Sequence, residues 1–176
     1  MGRRVLAFDV ATHCGYALVE DTDPMPRVIN SGVIDLTPIR VYEKRLLYFF
    51  RECVMIIGTS GPVAAILYET PPGWQGKTQA ATLRTLWQLA AVVQLAVAHS
   101  GTEATVWGVD PNQWHRLMIG HGLKRAQYKA LAILQVQQRT GYQTDREDEA
   151  DAIMVALYGL GLMRLGMLEA RLAHAR

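Results

Sequence analysis

The chain has 176 residues, 50% of them hydrophobic, and a formal net charge of +2 at pH 7. This length and apolar content allow a buried core and favour a single domain. The near balance of charge is compatible with a nucleic-acid partner but does not by itself indicate one. The two cysteines, Cys14 and Cys53, have no paired spacing, which argues against a disulfide framework and against a zinc site.

The N-terminal residues and the most apolar stretch both argue against a membrane protein. Residues 1–6 contain too short an apolar run for a signal peptide, and no Ser or Thr follows Gly2 where a myristoylation signal needs one. The stretch 86–98 is interrupted by Gln88 and Gln94 and is shorter than the roughly 18–20 residues of a membrane span. We therefore expect a soluble, cytoplasmic protein.

The first part of the chain predicts three strands. Residues 4–10 contain a continuous apolar run, typical of a buried strand, and Asp9 lies near its end. After a turn, residues 16–19 predict a second strand, and residues 28–36 predict a third beyond a polar loop. Because only short loops join these strands, we expect an antiparallel meander.

The rest of the chain alternates between helices and strands. Pro38 is expected to start a helix, at a position where its missing N–H costs nothing, and Gly58 or Gly61 to end it. Alternation of this kind after a meander predicts one α/β domain over residues 1–176, with a mixed sheet and helices on its faces. The further strands are predicted at 62–68, closed by Glu69, and at 105–109, and the further helices at 78–99, 111–119, 125–139 and from the acidic segment onward.

An acidic segment precedes the last predicted helix, with five acids between positions 145 and 151. Asp148 and Asp151 are three residues apart, so on a helix they share one face with Cβ atoms roughly 5–6 Å apart. Two carboxylates at that separation can serve one metal site. The segment is also typical of a capped helix start, since Thr144 and Glu147 fit a capping box and acids stabilise a first turn. Taken alone, it leaves both interpretations open.

Asp9 and Glu69 each end a predicted strand beside an apolar run. A lone buried carboxylate is costly unless it is paired or binds a metal, although either residue could be a solvated strand end. If the first and fourth strands are neighbours, which chain order does not establish, both acids approach the acidic segment. Four carboxylates brought together repel one another unless they are protonated or neutralised by divalent cations. Such oxygen ligands favour Mg²⁺ or Mn²⁺, and two ions roughly 3.5–4 Å apart can activate a water and stabilise the leaving oxygen of a phosphodiester.

Three segments, in the right order, resemble motifs of the RuvC-like Holliday junction resolvases, a branch of the RNase H-like nucleases. They are residues 8–17, 67–69 and 148–152, and the Gly-His-Gly at 120–122 followed by Lys124 also fits. The chain looks most like the phage-encoded members, and the resemblance covers nearly its whole length. It implies an RNase H-like α/β fold: a five-stranded mixed sheet, made of a three-strand antiparallel meander plus two parallel strands, flanked by helices.

The resemblance also implies a catalytic and metal-binding tetrad of Asp9, Glu69, Asp148 and Asp151. Such a tetrad binds two Mg²⁺ ions per active site, with Mn²⁺ expected to substitute. Glu147 stands beside Asp148 and could take its place as the third acid.

The sequence departs from the bacterial pattern in three ways, one of which is a spacing to Gly15 that is one residue shorter, a variant familiar in phage relatives. That pattern has Pro-Gly after the first Asp, where this chain has Val10-Ala11. A basic residue that the bacterial enzymes carry ahead of the Gly-x-Gly loop falls here on His115 or Arg116. Whether either residue performs that role is left open by the sequence.

Basic and aromatic residues are the candidates for DNA contacts. The family pattern places a functional lysine, near the scissile phosphate, at Lys124. Trp74 lies in a Pro-Gly loop and is either a local core anchor or, as the resemblance implies, a wedge that stacks on a distorted base. The other basic residues are either solvated or make phosphate contacts, which give salt-sensitive binding without reading sequence. The predicted DNA-binding set is Trp74, Lys77, Arg116, Lys124 and Arg125, with Arg84 and Lys129 in the same scattered group of basic residues.

Together with these observations, the resemblance implies a homodimeric, Mg²⁺-dependent endonuclease that resolves four-way and other branched DNA junctions. The apolar helix at 78–99 is expected to pack on the core and, as the family's dimer implies, on a second subunit. One alternative is another nuclease of the same fold that acts on flaps, forks or RNA–DNA hybrids. Another is a non-catalytic DNA-binding accessory protein, in which the acids only cap a helix and end strands. An actin-like ATPase ranks last because the chain lacks a second repeated half. If phage-encoded, the protein would act in the host cytoplasm.

Overall fold

A five-stranded mixed sheet forms the centre of the molecule. The computed structural model describes residues 2–71 and 79–167. The strands are β1 (Arg4–Asp9), β2 (His13–Glu20), β3 (Arg27–Asp35), β4 (Ala65–Glu69) and β5 (Thr105–Val109). Their order across the sheet is β3-β2-β1-β4-β5. The first three strands pair antiparallel, and β1–β4 and β4–β5 pair parallel, which confirms the predicted fold and makes the first and fourth strands neighbours.

Five helices are present among the described residues. They are α1 (Tyr42–Thr59), α2 (Ala80–Ser100), α3 (Pro111–Met118), α4 (Arg125–Thr140) and α5 (Glu147–Arg164). The prediction that Pro38 starts α1 is wrong. The Asp35 side chain accepts hydrogen bonds from the backbone N–H and the hydroxyl of Thr37, at 2.9 and 2.6 Å. This side-chain turn places Pro38 in a loop, and the helix begins only after an extended Val41.

The two faces of the sheet carry separate hydrophobic cores. Alternate residues of β1 point to opposite faces, so that Val5 and Ala7 pack with α5 while Leu6 and Phe8 pack with α1 and α2. Helix α5 is buried along most of its length because it lies across the sheet. Gly159 permits this close approach, since a Cβ at that position would stand 2.6 Å from a methyl carbon of Leu67. The packing holds the start of α5 near the carboxyl ends of β1 and β4.

Among the described residues, one helix, α2, is long and apolar enough to cross a membrane by length and composition alone. This differs from the sequence expectation, which considered only residues 86–98. One side of α2 packs on α1 and β4, with Leu89, Ala90 and Val93 buried in the core beneath them. Core helices of soluble proteins pass the same test of length and composition.

Candidate active site

The parallel pairing of β1 with β4 brings Asp9 and Glu69 side by side. Phe8 is in register with Tyr68, so the next residue on each strand is one of the two acids. Asp9 is buried with only 9% of its surface exposed, and Glu69 is close enough to raise its pKa. The first and fourth strands are therefore neighbours, as the argument from the sequence required.

The start of α5 completes the group of carboxylates. Asp9, Glu69, Asp148 and Asp151 all line one cavity of about 470 Å³ at the carboxyl ends of β1 and β4. We call this the carboxylate cavity. All four acids predicted from the sequence are brought together there, although they come from three elements far apart in the chain.

Burial and close packing raise the pKa values of three of these acids. Burial raises the pKa of Asp9 well above its usual range, and the neighbouring charges of Glu69 and Asp148 raise it further. Burial also raises the pKa of Glu69. Burial, followed by the charge of Asp9, raises the pKa of Asp151 to about 7. The site therefore holds more negative charge than it can easily keep ionised without a cation.

The chemistry of the donor set fits a hard divalent cation. All four groups offer only carboxylate oxygens, which Mg²⁺ and Mn²⁺ prefer over softer metals. In the part of the chain that the structure describes, no three acidic, histidine or cysteine side chains already stand in an arrangement that could hold a metal ion. The four carboxylates that line the cavity would therefore have to move closer together to bind one.

Glu147 and Asp148 point to different places. Glu147 is half-exposed, forms an ion pair with Lys129, and does not line the carboxylate cavity. Asp148 lines the cavity and lies 3.9 Å from the Lys129 ammonium nitrogen. Of these two candidates for the third acid, the geometry therefore favours Asp148.

Lys129 is a member of the site that the sequence analysis did not single out. Its side chain lies on α4 at the edge of the carboxylate cavity, only 21% exposed. Burial lowers the pKa of its ammonium group, but the hydrogen bond to Glu147 and the charges of Glu147, Asp148 and Asp151 outweigh burial and raise that pKa. The sequence could have identified Lys129, because it lies four residues after Arg125 and therefore on the same face of a helix. Arg125 also lines the cavity.

Glu149 lies on the opposite side of the α5 start from the cavity. It is 6% exposed and accepts hydrogen bonds from the hydroxyls of Ser31 at 2.6 Å, Thr144 at 2.7 Å and Tyr142 at 3.1 Å. The predicted capping box between Thr144 and Glu147 is wrong, because the Thr144 hydroxyl is committed to Glu149 and to the backbone N–H of Arg146. This cluster attaches the first turn of α5 to β3.

Trp114, on α3, contacts the site directly and was missed in the sequence. It is fully buried, and its indole Nε1–H donates a hydrogen bond of 2.6 Å to Oε1 of Glu69.

The neighbouring His115 lines the carboxylate cavity and stacks on Tyr128 with ring centroids 4.9 Å apart. Burial lowers the pKa of His115. Arg116, the other candidate for the basic residue ahead of the Gly-x-Gly loop, lines a separate surface depression with Gln113 and Tyr158.

The other residues predicted to contact DNA are only partly placed at the cavity. Arg125, the first residue of α4, is exposed and lines it, whereas Lys124 precedes it at the exposed N-cap. The side chain of Gln127 accepts a hydrogen bond from the Lys124 backbone N–H at 2.8 Å. Trp74 and Lys77 lie outside the described residues, so their predicted roles remain predictions.

Comparisons with known proteins agree with this fold. The chain is 28% identical over 156 residues to a crossover junction endodeoxyribonuclease RuvC from a Roseiflexus species, covering 88% of each chain. The RuvC of Thermus thermophilus has a similar structure, with a TM-score of 0.74, 20% identity, and coverage of 93% of this chain and 97% of that one. The same RuvC in complex with a Holliday junction substrate gives a TM-score of 0.78 at 20% identity, covering 94% and 97%.

The yeast mitochondrial Holliday junction resolvase is a more distant match, with a TM-score of 0.55 and 17% identity over 88% of this chain and 76% of that one. No family model matches the chain. The likeness to solved structures confirms the RNase H-like fold that the sequence motifs indicate.

Proposed function

We propose that this chain, a RuvC-like protein of RNase H-like fold, is a structure-selective endodeoxyribonuclease that resolves four-way and branched DNA junctions. The observation that carries the proposal is the meeting of Asp9, Glu69, Asp148 and Asp151 in one cavity. A relative whose name specifies crossover junction cleavage is similar over 88% of the chain, which supports the substrate class. We propose a single domain and a cytoplasmic site of action, in the host cell if the gene belongs to a phage.

We propose that the four carboxylates bind two divalent ions, Mg²⁺ or Mn²⁺. When bound, such ions activate a water for attack on a phosphodiester and stabilise the leaving oxygen. Asp9 and Glu69 offer oxygens from the ends of adjacent strands, and Asp148 and Asp151 offer theirs from one face of α5. The products would carry 5′-phosphate and 3′-hydroxyl ends.

The residues on the α4 side of the cavity would bind the DNA backbone. Arg125 is exposed at the cavity edge and can pair with a phosphate next to the cleaved one, with Lys124 beside it. Lys129 neutralises Glu147 and so keeps that acid directed away from the cavity. Such phosphate contacts position the strand without reading its sequence, and they weaken as salt is raised.

The exposed face of α2 supports a proposed homodimer. Trp87, Ala91, Leu95 and Ala98 follow one another at helical spacing, and all four are exposed. Trp87 is 50% exposed and Leu95 60%, an unusual display of large apolar side chains on one helix face. Two copies of this stripe can pack around a two-fold axis. A two-fold dimer would present two active sites to two strands of a two-fold junction, so that paired cuts resolve it.

The dimer is tested by placing a charge in the stripe. Leu95→Glu should convert the protein to a monomer in analytical ultracentrifugation, because a buried carboxylate without a partner is costly at an interface. Leu117→Glu is the matched control, since Leu117 is 68% exposed on α3 and lies outside the stripe. A dimer unaffected by Leu95→Glu would exclude this face as the interface.

The substrate class is tested by cleavage of a matched set of DNAs with Mg²⁺. A mobile four-way junction, a flap, a replication fork, an RNA–DNA hybrid and a linear duplex of equal length would be compared. We expect paired, symmetric cuts in the junction at a rate at least tenfold above the other substrates. Preferential cutting of the hybrid or the flap would assign the protein to another nuclease class of the same fold. Absence of cutting on all five would favour a non-catalytic accessory protein.

A further inference from the structure

A buried tryptophan is bonded to one of the four carboxylates. Trp114 is fully buried, and its indole N–H lies 2.6 Å from Oε1 of Glu69. A hydrogen bond from a neutral donor to an ionised carboxylate is stronger than one between neutral groups, and more so where water is excluded. The bond therefore constrains the orientation of the Glu69 carboxylate at the end of β4.

The indole is itself held firmly in place. The Asp110 side chain caps α3 by accepting from the backbone N–H of Asn112 at 2.8 Å, and this fixes the first turn from which Trp114 projects. On its other side the indole contacts the His115 ring, with centroids 3.9 Å apart. His115 in turn stacks on Tyr128 of α4. Trp114 therefore connects Glu69 to two helices.

We propose that Trp114 is a positioning residue, whose indole N–H holds the Glu69 carboxylate in the orientation that serves metal ions in the carboxylate cavity. The inference rests on the proposed metal-dependent nuclease. Trp114 does not line the cavity itself, so it would act only through Glu69. Hydrogen-bond partners of metal ligands typically contribute roughly 10–100-fold to metal affinity or activity.

The test compares Mn²⁺ binding to the intact wild-type protein and to Trp114→Phe by isothermal titration calorimetry. The phenyl ring keeps an aromatic group in the core but removes the N–H. We expect Mn²⁺ affinity to fall at least about tenfold, with kcat for junction cleavage reduced and KM for the junction unchanged. Junction binding in EDTA should also be unchanged. Trp107→Phe is the matched control, because Trp107 packs against the same core from β5, and its Mn²⁺ affinity should equal that of wild type.

A second replacement separates the N–H from the ring. Incorporation of 3-benzothienylalanine at position 114 keeps the bicyclic shape and substitutes sulfur for the N–H, so it serves if Trp114→Phe does not fold. Wild-type Mn²⁺ affinity in either variant would overturn the inference, and so would equal losses in Trp114→Phe and Trp107→Phe. Failure of the wild-type protein to bind Mn²⁺ would instead overturn the proposed metal-dependent function.

Discussion

The backbone of Asp148 lies directly against Gly15. A Cβ added to Gly15 would come within 1.8 Å of the Asp148 carbonyl oxygen, a distance that no real contact allows. Gly15 is also the register partner of Asp9 on the β1–β2 hairpin. The hairpin glycine therefore sets how closely the start of α5 approaches β1, and with it the separation of Asp9 from Asp148.

Gly15→Ala should displace the first turn of α5 and so increase the separation of Asp148 from Asp9. Overpacking of this kind typically costs roughly 1–3 kcal/mol of stability. We expect junction cleavage to fall at least tenfold, with junction binding in EDTA retained. Gly58→Ala is the matched control, because nothing lies within 4 Å of the added Cβ and alanine favours the helix by about 0.5–1 kcal/mol. Wild-type cleavage by Gly15→Ala would contradict the role given to this contact.

The identity of the third acid is tested by a pair of neighbouring substitutions. Asp148→Asn should weaken Mn²⁺ binding at least about tenfold, because it removes a carboxylate from the cavity. Glu147→Gln should weaken Mn²⁺ binding by much less than about tenfold, since Glu147 faces Lys129 instead. Calorimetric titration of both variants decides the matter, and the reverse order of effects would assign the role to Glu147.

Glu149→Gln tests whether the hydroxyl cluster fixes the start of α5. Loss of hydrogen bonds to a buried charged group should lower the free energy of unfolding by roughly 1–3 kcal/mol. Mn²⁺ affinity should fall as well, because Asp148 and Asp151 project from the same turns of the helix. Glu20→Gln is the matched control: Glu20 is equally buried and accepts from Arg4 and Arg27, but it lies at the far end of the sheet. Glu20→Gln should lose stability and keep its Mn²⁺ affinity. Equal losses of Mn²⁺ affinity in Glu20→Gln and Glu149→Gln would contradict the proposal that the hydroxyl cluster fixes the start of α5.

The raised carboxyl pKa values give the metal-free protein a characteristic pH dependence. The pKa of Asp151 rises from its ordinary value of 3.8 to about 7, so between these values the folded state binds more protons than the unfolded chain. The free energy of unfolding in EDTA should therefore fall as pH rises from about 4 to 7. The pKa shifts of Asp9 and Glu69 act in the same direction.

Asp151→Asn should reduce that slope, whereas Asp145→Asn, at an exposed position ahead of α5, should not. Urea denaturation at a series of pH values measures the slope of the free energy of unfolding against pH. A slope that is the same in wild type and Asp151→Asn would contradict the shifted pKa. Mn²⁺ should stabilise the wild-type protein more at pH 8 than at pH 6, because binding displaces the bound protons.

The sequence was sufficient for the fold class and for Asp9, Glu69 and Asp151, but it left the third acid open between Asp148 and Glu147. Apolar runs such as Val5 to Phe8 predict buried strands because strand formation there is driven by local pattern. The helical spacing of Asp148 and Asp151 likewise follows from short-range geometry. The sequence could not show that Asp9 and Glu69 lie side by side, because that depends on which strands pair.

What the sequence could not reveal depends on contacts between distant segments. Thr144 fits a capping box by local rules, yet its hydroxyl bonds to Glu149, which is held by β3 as well. Trp114 and Glu69 are 45 residues apart, and no periodicity connects them. Lys129 was visible as a residue on the same helix face as Arg125, but its ion pair with Glu147 required the packing of α4 on α5.

The most direct test of the proposed function is cleavage of a four-way junction by Asp9→Asn. Asp9 is the most deeply buried of the four acids and adjoins Glu69, so the substitution removes one proposed ligand with little change in shape. The account predicts that the variant binds the junction as wild type does but shows no cleavage in Mg²⁺, while wild type cuts in Mg²⁺ and not in EDTA. Undiminished cutting by Asp9→Asn in Mg²⁺ would contradict it.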